Sequence, residues 1–195
     1  MSRSCQCPQV CSATPWEVAC VANLIASEAR STYLEIGSHA GGSLLHYGSA
    51  MYPGSTLIAI DLCGHADAER SLRIVTEGLV AEGYGCHLIV GDSRSPAVVA
   101  RVTEIVAPLS GIDVLLIDGG HAVETAESDL ATYLPLVREG GVVIMHDVGE
   151  PHPAKEVTPK VADVLTGLNS LWQRVSRGRR RQMIQQWCGY GVFWK

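Results

Sequence analysis

The stretch Thr32–Ser43, TYLEIGSHAGGS, constrains the fold of this chain more than any other. An apolar run (Tyr33, Leu34, Ile36) carries one acid, Glu35, then turns through Gly37 and the pair Gly41–Gly42, and a helical pattern begins at once. A buried strand that passes through glycines into a helix lets a ligand approach the backbone and meets it with unpaired N–H groups. This is the local structure of a pocket for a nucleotide-like ligand.

The rest of the chain repeats the strand-then-helix rhythm. A helix is expected over Pro15–Arg30, with Thr14 as its cap and its apolar residues at helical spacing, packed beside the sheet over the pocket. Apolar runs at Tyr33–Ile36, Leu57–Asp61, Cys86–Val90, Ile112–Asp118 and Val142–Asp147 read as buried parallel strands. Helical patterns separate them at Ser43–Met51, Asp67–Glu82, from Pro96, and over Val123–Val137. Right-handed crossovers then give an α/β, doubly wound sheet. The tail breaks the rhythm: Glu150–Pro159 holds three prolines and reads as a loop, Val161–Leu168 as a helix, and Gln182–Trp187 with Gly191–Lys195 as a closing antiparallel pair. The expected whole is one domain over 1–195, with residues 1–30 an N-terminal arm and helix. Its mostly parallel sheet has seven strands and is Rossmann-like with a C-terminal antiparallel hairpin.

Composition excludes several classes. With 195 residues, 47% hydrophobic and 18% charged, the chain can bury a sizeable core. Its apolar runs are strand-sized, so no membrane partner is expected. The start, MSRSCQCPQVCS, lacks the apolar core of a signal peptide, and a cytoplasmic protein is expected. A net charge of -5 gives no reason to expect nucleic acid. The seven cysteines read as reduced thiols, and Cys5, Cys7 and Cys11 as incidental thiols on a loose arm.

Ligands of an open α/β sheet sit outside the carboxyl ends of its strands. Those ends carry Glu35 and Gly37, Asp61, Asp92, Asp118 and His146–Asp147. Asp61 lies at the distance beyond the glycines where an acid accepts from ribose hydroxyls. Gly37 and Gly41 form G-x-x-x-G rather than the G-x-G-x-x-G that a pyrophosphate needs. Glu35 would repel a pyrophosphate and suits an ammonium or sulfonium group. These features point to S-adenosylmethionine.

LEIGSHAGGS, AIDL, VGDS and IDGGH with GGVVIMHDV resemble the successive motifs of class I S-adenosylmethionine-dependent methyltransferases, in the branch of macrocin-type O-methyltransferases and cephalosporin-hydroxylase-like proteins. The resemblance spans residues 32–148 and implies an O-methyltransferase acting on a small hydroxylated acceptor. It implies that Glu35, Gly37, Ser38 and Gly41 meet the methionine part of the cofactor, Asp61 the ribose, and Asp92 with Ser93 the adenine. Asp118, at the next strand end, joins this cofactor set. Asp118 and Asp147 would hold a divalent metal such as Mg²⁺, which would orient the acceptor oxygen and lower its pKa. His121 is the first candidate base; His146 is the second, or a further metal ligand. Gly120 stands where related chains often carry an acid.

Other residues read as ordinary structure. His87 is a packed or edge histidine, and His46 and His65 are solvated. Glu124 and Asp129 read as an exposed helix face, Trp172, Trp187 and Trp194 as packing for the closing hairpin, and Arg177–Arg181 as a solvated turn without interleaved aromatics. Two rival functions stand beside the methyltransferase: a non-catalytic domain that binds S-adenosylmethionine, and an NAD-dependent oxidoreductase. A homodimer is expected, because a chain this short leaves little room for a lid.

Overall fold

The computed structural model describes residues 13–27, 30–150 and 158–195; Cys5, Cys7, Cys11 and residues 151–157 of the expected proline loop lie outside them. Helix α1 (Pro15–Ala26) starts with a capping box in which Thr14 and Glu17 bond each other's backbone amides. It ends four residues short of the expected Arg30, whose side chain turns into the protein and donates to the carbonyl of Asp113 at 3.2 Å. Strands β1 (Thr32–Ile36), β2 (Thr56–Asp61), β3 (Gly85–Val90) and β4 (Ile112–Ile117) alternate with α2 (Gly42–Gly48), α3 (Ala66–Ala81) and α4 (Pro96–Val106). Helix α5 (Val123–Tyr133) leads through a 3₁₀ turn (Leu134–Leu136) into β5 (Val137–His146). The expected helix to Val137 stops early because Pro135 has no N–H to continue it.

The tail differs more. Helix α6 (Pro159–Val175), capped by Thr158, is twice the expected length, and buries Leu165, Leu168, Leu171 and Trp172. It is followed by β6 (Arg181–Ile184) and β7 (Tyr190–Trp194). The indole of Trp172 lies so close to Gly191 that a Cβ there would meet it at 2.6 Å. The arginine run is exposed, as expected, but aromatics do interleave with it in space: Arg179 lies over Phe193, Arg180 over Trp194 at 4.0 Å, and Arg181 over Trp172.

Among the described residues the seven strands form one sheet in the order β3-β2-β1-β4-β5-β7-β6. The first five are parallel, while β7 runs antiparallel between β5 and β6. Alternating side chains feed two cores. Leu34 and Ile36 of β1 join the cluster of α4, α5 and α6; Tyr33 joins that of α1, α2 and α3. Strand order reverses at β1 and β4, so the crevice above them is where a ligand is expected. No helix of the described residues is long and apolar enough to cross a membrane.

Candidate active site

The crevice is built by three strand ends meeting. Gly37 has φ +91°, and a Cβ on it would lie 2.1 Å from the carbonyl oxygen of Asp118, so only glycine fits. Its amide donates to Ile60 (2.8 Å), and the amide of Asp118 donates to Ile36 (2.9 Å). The loop after β1 is therefore clamped between the ends of β2 and β4. Asp61 holds the loop from the side, accepting from the amides of His39 and Cys63, both at 2.7 Å. Each of its oxygens keeps a second lone pair for a hydroxyl.

Glu35 lies beneath that loop, fully buried. It accepts from the Tyr33 hydroxyl at 2.9 Å and from the hydroxyl of Ser43 at the start of α2. Burial pushes its carboxyl up to about 8, against the pull of the two hydroxyl donors. Both of its oxygens are thus engaged beneath the loop. Ser38 is buried, with no partner for its hydroxyl.

Beyond β2, Asp92 sits in the turn after the edge strand β3, half exposed and chelated by Arg94, which holds its carboxyl down at about 2. The neighbouring Ser93 is buried; its hydroxyl donates to Asp129 (2.6 Å) and its carbonyl accepts from Tyr133 (2.6 Å). Asp129 is thus not on an exposed face: it is 1% exposed. The charged neighbours Glu124 and Glu127 do face solvent, so charge pattern alone could not single it out.

The ends of β4 and β5 carry a cluster of two histidines and two aspartates. His121 Nδ1 lies 2.9 Å from Asp147 Oδ2, and His146 Nδ1 lies 3.0 Å from Asp118 Oδ1 and 3.5 Å from Asp147 Oδ1. The hydrogen bond to Asp147 raises the pKa of His121 in spite of its burial. Burial works against the charge on His146 too, but the Asp118 carboxylate outweighs it and lifts the ring to about 9. His146 is thus buried between two carboxylates that favour its charged form, and His121 is the more exposed of the two rings. Tyr190 of β7 stacks on His146 (4.5 Å between centroids) and accepts from Tyr47 (3.0 Å). Sequence reading assigned neither tyrosine, since their placement depends on which strand lies beside β5.

Asp147 has φ +57°, a conformation that costs free energy in a residue other than glycine and that clusters at functional sites. Its Oδ1 and His146 Nε2 are buried without hydrogen-bond partners. Ligand atoms of Asp118, His121 and Asp147 lie within 4.8 Å of one another, so the set that could hold a metal takes His121 in place of His146. A small pocket lined by Gly119, Gly120, Ala126, Met145 and Leu168 adjoins these groups.

Glu17 supports this end from α1. It accepts from the amides of Gln186 and Trp187 (2.8 Å each) and of Gly189 (3.1 Å), fixing the turn that leads into Tyr190. The Thr14 cap is legible in the sequence; the reciprocal bond from Glu17 and its second task are not.

Known proteins share this architecture. The structure is similar to that of a candidate caffeoyl-CoA O-methyltransferase from Staphylococcus aureus (TM-score 0.72, 15% identity, 95% of this chain and 86% of that one). It also resembles the O-methyltransferase from Bacillus cereus in complex with SAH (0.64, 16%, 94% and 83%). A third similar structure is the O-methyltransferase TomG from Streptomyces achromogenes in complex with SAM (0.61, 18%, 96% and 82%). In sequence, the chain is 28% identical over 142 residues to an uncharacterized protein of Acanthamoeba polyphaga mimivirus, covering 71% of this chain and 61% of that relative's length. A methyltransferase-domain family model matches residues 34–148, from the core of β1 to just past Asp147. The chain belongs to the methyltransferase-domain family.

Proposed function

We propose that this protein is an S-adenosylmethionine-dependent O-methyltransferase acting on a small hydroxylated acceptor, with His121 as the base. The observation that carries the reading is the His121–Asp147 pair, placed at the switch-point crevice beside the clamped glycine loop. Two solved relatives of the same fold hold SAM or SAH, which supports that cofactor here.

In this reading Gly37, Ser38 and Gly41 line the methionine end, Asp61 accepts from the ribose hydroxyls, and Asp92 with Ser93 meets the adenine. Leu62, 69% exposed next to Asp61, offers an apolar face for the base. Bound there, S-adenosylmethionine supplies a methyl group on a cationic sulfur that departs as a neutral thioether. Asp147 fixes the tautomer and direction of His121, whose free nitrogen takes the proton from the acceptor hydroxyl as its oxygen bonds to the methyl carbon. The charge on His146 offsets the two carboxylates when no other cation is present.

A second reading adds a divalent ion, favoured by the convergence of Asp118, His121 and Asp147 and by the unpartnered Asp147 Oδ1. Those three residues would hold it, and it would supply Lewis-acid lowering of the acceptor's pKa. The imidazole in the set suits a transition-metal ion better than Mg²⁺. His121 serves either as ligand or as base, so full activity in EDTA supports the metal-free scheme and loss of activity restored by Mn²⁺ or Mg²⁺ the other.

The test is thermal unfolding alone and with S-adenosylmethionine, its demethylated product or NAD. A ligand at about 100 times its Kd adds about 2.7 kcal/mol, a shift of about 5–10 °C for a domain of this size. A shift with the first two ligands only, lost in Asp61→Ala, is the expected result. No shift with any adenosine ligand removes the reading, and a shift with NAD alone favours an oxidoreductase. A homodimer is part of the same proposal, and sedimentation as a monomer at micromolar concentration would count against it.

A further inference from the structure

Asp129 is a buried acid that the reaction scheme leaves without a task. It lies on the inward face of α5 with Oδ1 taken by the Ser93 hydroxyl and Oδ2 without a partner, the latter 3.8 Å from where a Cβ of Gly119 would sit. Tyr133, four residues later on the same buried face, holds the carbonyl of Ser93. One helix thus grips Ser93 at its side chain and at its backbone. No turn, loop or cap hydrogen bond among the described residues uses the Ser93 amide. An apolar residue at this position would avoid the cost of a half-satisfied buried carboxylate. The free energy it consumes is explained if the position of Ser93 matters.

We propose that Asp129 is a positioning residue that fixes the Asp92–Ser93 turn so that the Ser93 amide and the Asp92 carboxylate face the adenine of the methyl donor together. This rests on the reading that adenine lies at that turn. The geometry has a chemical consequence. A fixed N–H donor beside a carboxylate acceptor, here Asp92 Oδ2, which keeps a second lone pair beside the one Arg94 takes, matches the edge of adenine, which presents a ring-nitrogen acceptor beside an amine donor. Hypoxanthine presents the reverse, a ring N–H beside a carbonyl oxygen. A rigid turn therefore discriminates between the two bases, and a loosened one discriminates less.

The experiment is calorimetric binding of S-adenosylhomocysteine and of S-inosylhomocysteine to the wild-type protein and to Asp129→Ala, Asp129→Asn, Ser93→Ala, Asp129→Ala/Ser93→Ala and Tyr133→Phe. The wild type should prefer the adenosyl ligand by at least about tenfold, the worth of one mismatched hydrogen bond to a charged group. Asp129→Ala should lose most of that preference. Asp129→Asn, whose amide oxygen still accepts from Ser93, should keep it within about threefold. The double variant should be no worse than either single one, because both remove the same contact. If Asp129→Ala fails to fold, Asp129→Asn and Tyr133→Phe carry the test, the first keeping the preference and the second eroding it. An Asp129→Ala protein with the wild-type preference overturns the inference, as do losses that multiply in the double variant. A wild type that binds both ligands equally overturns the inference alone, whereas one that binds neither removes the cofactor reading and the inference with it.

Discussion

Two buried aspartates, one at each end of the sheet, are treated in opposite ways. At the amino end, Asp113 accepts from the amides of Ser31 and Thr32 (2.9 Å each), from the Ser31 hydroxyl and from Arg138. Burial opposes its charge, but these donors outweigh the cost and hold its carboxyl below the usual range. At the carboxyl end, Asp147 sits in a left-handed backbone conformation, one oxygen on His121 and the other without a hydrogen bond. Ser38 Oγ and His146 Nε2 are also buried and unpartnered at this end. Each such atom costs about 1–3 kcal/mol. Asp113 is thus fully engaged as structure, while Asp147 keeps bonding capacity of the kind a ligand could use.

The contrast can be broken by mutation, most severely at the site. His121→Ala should lower kcat by about 10²–10⁴-fold, the usual worth of a general base, with little change in unfolding temperature. An inactive variant that is also strongly destabilised would make this end structural too. Asp113→Ala should do the reverse. It strands Arg138 and two amides, so denaturant unfolding should show a loss of about 3 kcal/mol with kcat per folded molecule unchanged.

Glu17→Gln tests a carboxylate that belongs to the structural class although it lies near the site. Burial opposes the charge on Glu17, but hydrogen bonds from the amides of Thr14, Gln186 and Trp187, with the Thr14 side chain, pull its pKa below the ordinary value of 4.5. A lowered carboxylate contributes stability above its unfolded pKa and loses it as pH falls through the folded one. Glu17→Gln should therefore cost about 1–2 kcal/mol at pH 7 and less at lower pH, where the wild-type advantage shrinks. The smallest effect is on the pH profile. As the proposed base, His121 must be neutral to take a proton, and its pKa is raised, so activity should climb with pH through a transition above 6.5. Asp147→Asn, which tolerates the left-handed backbone, should shift that transition downward. An unmoved profile would assign it to another group.

Much of this was legible in the sequence, and the part that was not has a common cause. Four of the five parallel strands are mostly buried, while β3, at the sheet edge, is half-exposed rather than buried as expected; each still shows as an apolar run, and each run stops where acids begin. Asp61, Asp118 and His146–Asp147 could therefore be placed at one rim. What escaped is satisfied across long separations. Glu17 bonds amides about 170 positions away, and Asp129 holds a serine 36 positions back. Neither has a periodicity or spacing that marks a partner. The pairing of His121 with Asp147 and of His146 with Asp118 escaped for the same reason, since it follows from which strands are neighbours. Helix α6 was read too short because its later burial, at Leu171 and Trp172, answers to the glycine of a strand that follows it.

The placing of β7 between β5 and β6 has a consequence for how the protein comes into being. A ribosome releases β1 to β5 well before residues 190–194, so the nascent sheet ends in β5, whose run Val142–Met145 is apolar and whose outer N–H and C=O groups would face water. Such an edge invites pairing with a neighbouring chain. The strand that seals it brings Tyr190 against His146 in the same movement. Protection from aggregation and completion of the site thus arrive together, and a chain caught before that moment is both sticky and inert.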